Sequence, residues 1–207
     1  MRAKAGIVCL IIGAALIFGA LSLFLYNQQE AAQAEKAGED LLPQLREAME
    51  TGEENTTQMQ SPPPGIPMEY LDADDFVMTE VEIDGYGYIG YLSIPKLELE
   101  LPIMGAWDYE RLQIAPCRYT GSVRGEDLVL MAHNYASHFG NLSNLSEGDS
   151  IVFTDMDGIV TNYQVITQDI LDPYAVEEMI AGEFDVTLFT CTYGGQSRVT
   201  IYCDRIS

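Results

Sequence analysis

Cysteine and histidine are scarce in this chain of 207 residues, and the scarcity narrows its chemistry. The four cysteines fall at positions 9, 117, 191 and 203, with no Cys-x-x-Cys pair. That is too few and too scattered for a disulfide scaffold or a zinc site. The two histidines, His133 and His138, stand five apart, where helical positions diverge, and no carboxylate motif accompanies them. A helical metal site is excluded on that ground, and no motif points to a cofactor. Basic residues are also rare: 10 Lys and Arg face 32 Asp and Glu, for a net charge of −22. Such a surface repels phosphate backbones and anionic headgroups, which argues against nucleic acid as a partner and against charge-driven adhesion to a bilayer.

What is present is divided by region. Residues 1–26 carry a charge of +2, residues 27–80 carry −11 and residues 81–207 carry −13. Within the first of these, residues 6–26 form an uncharged apolar run of 21 residues. As a helix rising about 1.5 Å per residue it spans roughly 30 Å, the thickness of a hydrocarbon core. Arg2 and Lys4 precede it and acidic sequence follows, so residues 1–5 are expected in the cytoplasm and the rest outside the cell, with Tyr26 at the outer interface. Ala32-Gln33-Ala34 resembles a signal-peptide cleavage site, but the run exceeds the roughly 7–15 residues of a signal core, which favours an uncleaved single-pass anchor. Residues 27–80 read as an acidic, proline-containing stalk and linker. Leu41, Leu42, Leu45 and Met49 make a narrow apolar stripe there, too short for a coiled coil and suited to a partly ordered helix above the membrane. Ser61-Pro62-Pro63-Pro64-Gly65-Ile66-Pro67 predicts a semi-rigid polyproline spacer, and Asp72, Asp74 and Asp75 a solvated turn.

From residue 81 the pattern changes to short runs rich in β-branched and aromatic residues. Strands are predicted at 88–94, 97–103, 127–132, 150–154, 159–169, 186–192 and 198–203, with an eighth near 112–117. Asp155-Met156-Asp157-Gly158 reads as a hairpin turn. Short helical stretches are expected at 107–114, 137–145 and 173–181. Many strands with few helices predict a mainly β domain over 81–207, a closed antiparallel barrel.

The last two strands carry the chemistry. Cys191 closes the first, Gly194-Gly195 supplies the turn, and Arg198 opens the second. A potential nucleophile and a permanent positive charge therefore meet at one end of a sheet. A free thiol, with a pKa of roughly 8.5, is mostly protonated at neutral pH, and a neighbouring guanidinium favours the reactive thiolate and then an oxyanion. His133, directly after the apolar strand 127–132, would exchange protons with the leaving and incoming amines. His138 opens a predicted helix with Ser137 as its cap and is the weaker candidate. Arg198 and Cys203 are five apart on one strand, so they face opposite sides, and Cys203 and Cys117 are expected to be buried small hydrophobes. Cys9 lies within the apolar run.

Thr187-Leu188-Phe189-Thr190-Cys191 resembles the Thr-Leu-x-Thr-Cys signature of sortases, the cysteine transpeptidases of Gram-positive cell surfaces. The likeness extends over residues 88–206. Tyr88-Ile89-Gly90-Tyr91-Leu92-Ser93-Ile94-Pro95-Lys96-Leu97 and Leu101-Pro102-Ile103 are similar to the family's first two strands. Phe139-Gly140-Asn141-Leu142 and Gly148-Asp149-Ser150-Ile151 stand where sortases carry similar segments. The resemblance implies an eight-stranded β-barrel. It makes Cys191 a nucleophile that forms a thioacyl intermediate, His133 an acid/base and Arg198 a substrate and oxyanion clamp. Thr190 and Asn134 would line the site, and Leu171, Tyr174, Val176 and Ile180 would offer an apolar groove wall to the peptide, or else seal the barrel end. The implied partners are surface proteins bearing a sorting motif and a peptidoglycan-type or pilin amine. Ala132 replaces the glycine that often precedes the family's histidine. His133-Asn134 followed by Phe139 is class B-like, yet the segment 170–184 is short for that class's long helix. No aromatic Asp-Pro lid motif precedes the barrel, unlike in class C, and Asp172-Pro173-Tyr174 reads as a turn. Glu177 and Glu178, with Glu126 or Asp127, are a weak calcium candidate without a cage of ligands. Two rival functions remain: a secreted cysteine peptidase, in which water resolves the same intermediate, and a non-catalytic peptide-binding barrel. The papain-like order of Cys before His is reversed here.

Overall fold

The computed structural model describes residues 2–51, 78–181 and 183–206, with side chains from residue 10. The polyproline spacer and the Asp72, Asp74 and Asp75 cluster lie outside the described residues. Helix α1, Arg2–Thr51, is continuous over 50 residues, so the apolar run and the stalk are one rod. Its apolar part is long enough to cross a membrane and none of it is covered by the rest of the protein. Pro43, inside the helix, is exposed.

The stretch read as a partly ordered helix above the membrane is an ordered one, and it docks. Ala34, Gly38, Leu41 and Leu45 recur every three or four residues and are all buried. Leu41 and Leu45 pack into one apolar cluster with Tyr88, Met104, Leu112, Cys117 and Met156. Leu42 and Met49 sit half-buried at the margins of the stripe. Arg46 pairs with Glu100 at 2.5 Å and lies over the Tyr91 ring at 5.3 Å, contacts exposed enough to fix the docking angle more than its strength.

Among the described residues nine strands follow: β1 Val81–Ile83, β2 Tyr86–Ile94, β3 Leu99–Met104, β4 Cys117–Thr120, β5 Leu128–Ala132, β6 Ser150–Asp155, β7 Val160–Leu171, β8 Val186–Cys191 and β9 Arg198–Arg205. They run β1-β2-β3-β4-β5-β8-β9-β7-β6, and β2 also pairs with β6. That second pairing closes β2 to β9 into an eight-stranded barrel and leaves β1 as a hairpin appendage. The barrel is mixed rather than wholly antiparallel, because β3–β4 and β5–β8 are parallel. Each parallel pair is joined by a crossover: β3–β4 through helix α2, Tyr109–Ile114, and β5–β8 through β6 and β7. At the closure seam β2 runs so close to β6 that a Cβ on Gly90 would lie 2.1 Å from the Thr154 carbonyl oxygen, and the backbone there has φ +146°. Only glycine fits.

The predicted strands recur closely, except that the stretch 112–117 opens with the end of α2, a helix capped by the Asp108 carboxylate accepting from the Arg111 N–H. The eighth strand is β4, which begins at Cys117, the last residue of that stretch. Residues 137–145 contain only tight turns and a short 3-10 segment, Leu142–Asn144, and the stretch 173–181 contains the single-turn α3, Val176–Met179. The Asp155–Gly158 turn forms as expected: the Asp155 carboxylate accepts from the N–H groups of Asp157 and Ile159. The barrel is filled by one cluster running from Ile89 and Leu92 through Leu130, Phe139, Phe153 and Tyr163 to Leu188 and Ile201.

Candidate active site

Strand parity positions the functional side chains. On β8 and β9, Val186, Leu188, Ile201 and Cys203 belong to the barrel interior. Cα partners across an antiparallel pair share a face, so Thr187, Phe189 and Cys191 look outward together with Tyr202, Thr200 and Arg198. Cys191 and Arg198 are direct cross-strand partners. Gly194 and Gly195, with φ +88° and +74°, make the reversal that brings them together, and Thr192 and Ser197 exchange main-chain and side-chain hydrogen bonds across it.

His133 reaches the same place from β5. Ala132 pairs with Thr190 as the last rung of the parallel β5–β8 ladder, so His133 and Cys191 are the next residues on adjacent strands. The Thr190 hydroxyl donates to the Ala132 carbonyl at 2.8 Å and is 3% exposed. Thr190 therefore faces away from Cys191 and ties the two strand ends together, rather than lining the groove as the resemblance implied. Cys191, His133 and Arg198 are all half-buried, and Asn134 is exposed on the histidine loop. Burial pushes the His133 imidazole below its ordinary pKa, while the Glu30 carboxylate of α1 works against that. His138 is 1% exposed, and burial, with the nearby His133, lowers it to about 4. Cys117 and Cys203 are buried free thiols, both pushed upward by desolvation. Among the described residues no group of three or more His, Cys, Asp or Glu is arranged to hold a metal ion.

A sortase-domain family model matches residues 92–206, more than half of the chain. The chain belongs to the sortase family. Its members are cysteine transpeptidases, and the match spans all three candidate residues. Solved structures agree. The chain is similar to a sortase C1 from Streptococcus suis, at 29% identity over 58% of this chain and 73% of that one, with a TM-score of 0.52. It is similar to sortase C1 from Streptococcus agalactiae, at 25% identity over 66% and 78%, with a TM-score of 0.56. Sortase C from Clostridium perfringens shares the fold over 90% of this chain and 98% of that one, at 21% identity and a TM-score of 0.53. No curated protein matches. All three structures carry class C names, whereas part of the sequence resemblance was to class B.

Beside Cys191, an aromatic ladder forms a wall. Trp107 stacks on Tyr119 at 5.7 Å, and Tyr119 meets Phe189 edge-on at 5.3 Å. Burial raises the Tyr119 phenol, and the charge of Arg198 opposes that rise, which sets Arg198 beside the ladder. Its guanidinium donates to the carbonyls of Gly195 and Ser197, both at 3.2 Å. Leu171 and Met179 are buried against the ladder, with Val176 and Ile180 half-buried around them. Of the four predicted groove residues, Leu171 thus seals the wall, Val176 and Ile180 form its surface, and Tyr174 stands 90% exposed. Asp172-Pro173-Tyr174 is a turn, closed by the Tyr174 N–H on the Asp172 carboxylate at 2.9 Å. Sequence reasoning missed Tyr119, Phe189 and Met179. The one usable signal was Trp107, the only tryptophan in the chain.

Proposed function

We propose that the protein is a membrane-anchored transpeptidase that cleaves a sorting-motif peptide on Cys191 and passes the acyl group to a cell-surface amine, with the catalytic domain outside the cell. The observation carrying this reading is the convergence of three strand ends: Cys191 across from Arg198, and His133 one residue past the rung that joins Ala132 to Thr190. Cys191 Sγ attacks the scissile carbonyl carbon, and Arg198 stabilises the oxyanion that forms. The C–N bond then breaks, the leaving amine takes a proton from the His133 imidazolium, and a thioester remains. An incoming amine, on a peptidoglycan-type or pilin acceptor, gives a proton to His133 and displaces the thiolate. Val176, Ile180 and Tyr174 border the path a peptide would follow to the thiol, and Asn134 lies at the histidine end.

The full-length protein, embedded in membrane, tests this with a peptide library scored for both hydrolysis and transfer to an added amine. Amine-linked product and a mass adduct of the acyl fragment on Cys191 are expected. Hydrolysis alone at saturating amine favours the peptidase, and turnover by a folded Cys191→Ala variant overturns the assignment.

A further inference from the structure

Between its apolar run and the barrel, α1 has no joint. Residues 27–34, Asn-Gln-Gln-Glu-Ala-Ala-Gln-Ala, hold neither glycine nor proline, and all but the asparagine are strong helix formers. The helix passes through them unbroken. Residues 14–29 are exposed throughout, and cover from the rest of the protein begins at Glu30 and Ala31, about one turn past Tyr26. From there the contact face steps by threes and fours: Ala31, Ala34, Gly38, Leu41, Leu45 and Ala48, half-buried at the two ends and buried between. The small residues come first and let the helix lie close. Ala34 is 1% exposed, and a Cβ on Gly38 would lie 3.8 Å from Cδ of Pro102 on β3. Leu41 and Leu45 then lock the far half into the cluster of Tyr88 and Met104. Pro43, inside α1, stands beyond the first contacts, so a bend there leaves the lower half in place. The lowest contact falls on the histidine loop, where the Ser137 hydroxyl donates to the Ala31 carbonyl at 3.3 Å. That loop is stiff: the Phe139 N–H donates to the His133 carbonyl at 3.2 Å, and those of His138 and Gly140 to the Tyr135 carbonyl at 3.0 and 2.8 Å.

We propose that α1 is a ruler for substrate selection: docked without a joint, it holds Cys191 at one height above the outer face of the membrane, so that the enzyme prefers a polypeptide anchored in the same membrane whose scissile bond stands at that height. The proposal rests on the reading of residues 6–26 as the membrane anchor and of Cys191 as the nucleophile. Ala31 lies five residues, about 8 Å of helical rise, beyond Tyr26 at the outer interface. The histidine loop is fixed to Ala31, and His133 and Cys191 are the next residues on adjacent strands. The reacting end of the barrel is thus tied to the membrane by a helix and a stiff loop. A flexible tether would let the barrel sample many heights and accept cleavage sites at many distances from the bilayer. A strut admits a narrow range, and so selects by position along the substrate chain in addition to side-chain recognition.

The test uses full-length protein in phosphatidylcholine vesicles, with one helical heptad rich in Ala, Glu and Lys inserted between the exposed Gln28 and Gln29. A heptad turns the contact face by only about 20° and adds about 10 Å of rise. A Gly/Ser insert of the same length is the flexible comparison. The first readout is energy transfer from a dye on Cys191, in a Cys9→Ala background, to acceptors on the lipid headgroups. The helical insert should lengthen the distance of closest approach by about 10 Å. The second readout is turnover of single-span reporter polypeptides that carry a cleavable motif at stepwise spacings from their own apolar span. The preferred spacing should lengthen by about three residues of extended chain, at about 3.3–3.6 Å each. The Gly/Ser insert should flatten the preference instead, and a soluble peptide with the same motif should be cleaved equally by all three proteins. Unchanged energy transfer in the helical insert, or one spacing preference shared by all three proteins, overturns the proposal. Failure of all three to cleave the soluble peptide would instead sink the transpeptidase reading, and the energy transfer, which needs no turnover, still decides whether α1 sets the height.

Discussion

The two faces of the β8–β9 hairpin hold the same kinds of residue and put them to opposite uses. The inner face carries Leu188, Thr190, Ile201 and Cys203, all buried. The outer face carries Phe189 and Cys191 on one strand and Arg198 on the other, with the aromatic ladder beside them. A thiol on the inner face loses solvent on every side, so its charged form is penalised and it acts as a small hydrophobe. A thiol on the outer face, at the strand end, lies across the hairpin from Arg198 and on the strand next to the one that leads to His133. One step along a strand therefore separates packing from chemistry. The histidines repeat the lesson, with His133 half-buried at the site and His138 sealed beneath it.

The sharpest way to break the comparison is to truncate each cysteine in turn. Cys191→Ala should abolish peptide cleavage and amine transfer with the unfolding midpoint unchanged. Cys203→Ala should keep turnover and cost roughly 1–2 kcal/mol in denaturant unfolding through the cavity it leaves. A small thiol-reactive probe should label Cys191 far faster than Cys117 or Cys203. Equal labelling of all three would remove the distinction between the faces.

The histidine pair comes next. His133→Ala should lower kcat/KM about 10²–10⁴-fold. His138→Ala should change it little, its cost appearing as lost stability. If the two variants traded places in a turnover assay, the buried imidazole would be the catalytic one and the geometry of the β5–β8 ladder would have been misread.

Much of this arrangement was legible in the chain because it depends on period-two alternation. The parity of Arg198 against Cys203, the hairpin glycines and the strand-end position of His133 all follow from local sequence. What was not legible depends on partners far away. Strand β4, Cys-Arg-Tyr-Thr, is buried at all four positions, with Arg118 1% exposed and its Nε donating to the Gly105 carbonyl at 3.0 Å. A strand closed on both faces shows no alternation to read. That the Thr190 hydroxyl meets the Ala132 carbonyl depends on a parallel pairing, which no local turn encodes. Leu41 and Leu45 announced an apolar stripe on α1 but not the surface of Tyr88 and Met104 that covers it. The aromatic ladder draws single residues from before α2, from β4 and from β8, so its members look unremarkable in the sequence.

Acid should separate the two histidines without any mutation. His138 titrates near pH 4 in the fold, whereas an unfolded histidine titrates near 6.5. Between those values the unfolded chain binds the extra proton, so stability is full above about pH 6.5 and falls as pH drops toward 4. The loss reaches about 3 kcal/mol, at roughly 1.4 kcal/mol per pH unit. Urea unfolding followed from pH 7 to pH 4 should show the decline, and His138→Phe should flatten part of it. A decline of the same size in that variant would place the acid sensitivity in other groups, such as the carboxylates.

The smallest expected effect lies on the groove wall, where two neighbours differ only in direction. Met179 is buried against Tyr119 and Phe189, so Met179→Ala removes packing and should cost about 2–4 kcal/mol of stability. Tyr174, five residues earlier, touches little of the protein at 90% exposure, and Tyr174→Ala should change stability by less than about 0.5 kcal/mol. An exposed aromatic at the rim of an apolar wall can still gain by covering a peptide, because its ring buries further surface only when substrate is present. That gain would be uniform through the reaction, so Tyr174→Ala should raise KM a few-fold and leave kcat nearly unchanged. Steady-state kinetics with one cleavable peptide decides the matter. Identical KM values for the parent and Tyr174→Ala enzymes would confine peptide recognition to the buried side of the wall, among Val176, Ile180 and the ladder behind them.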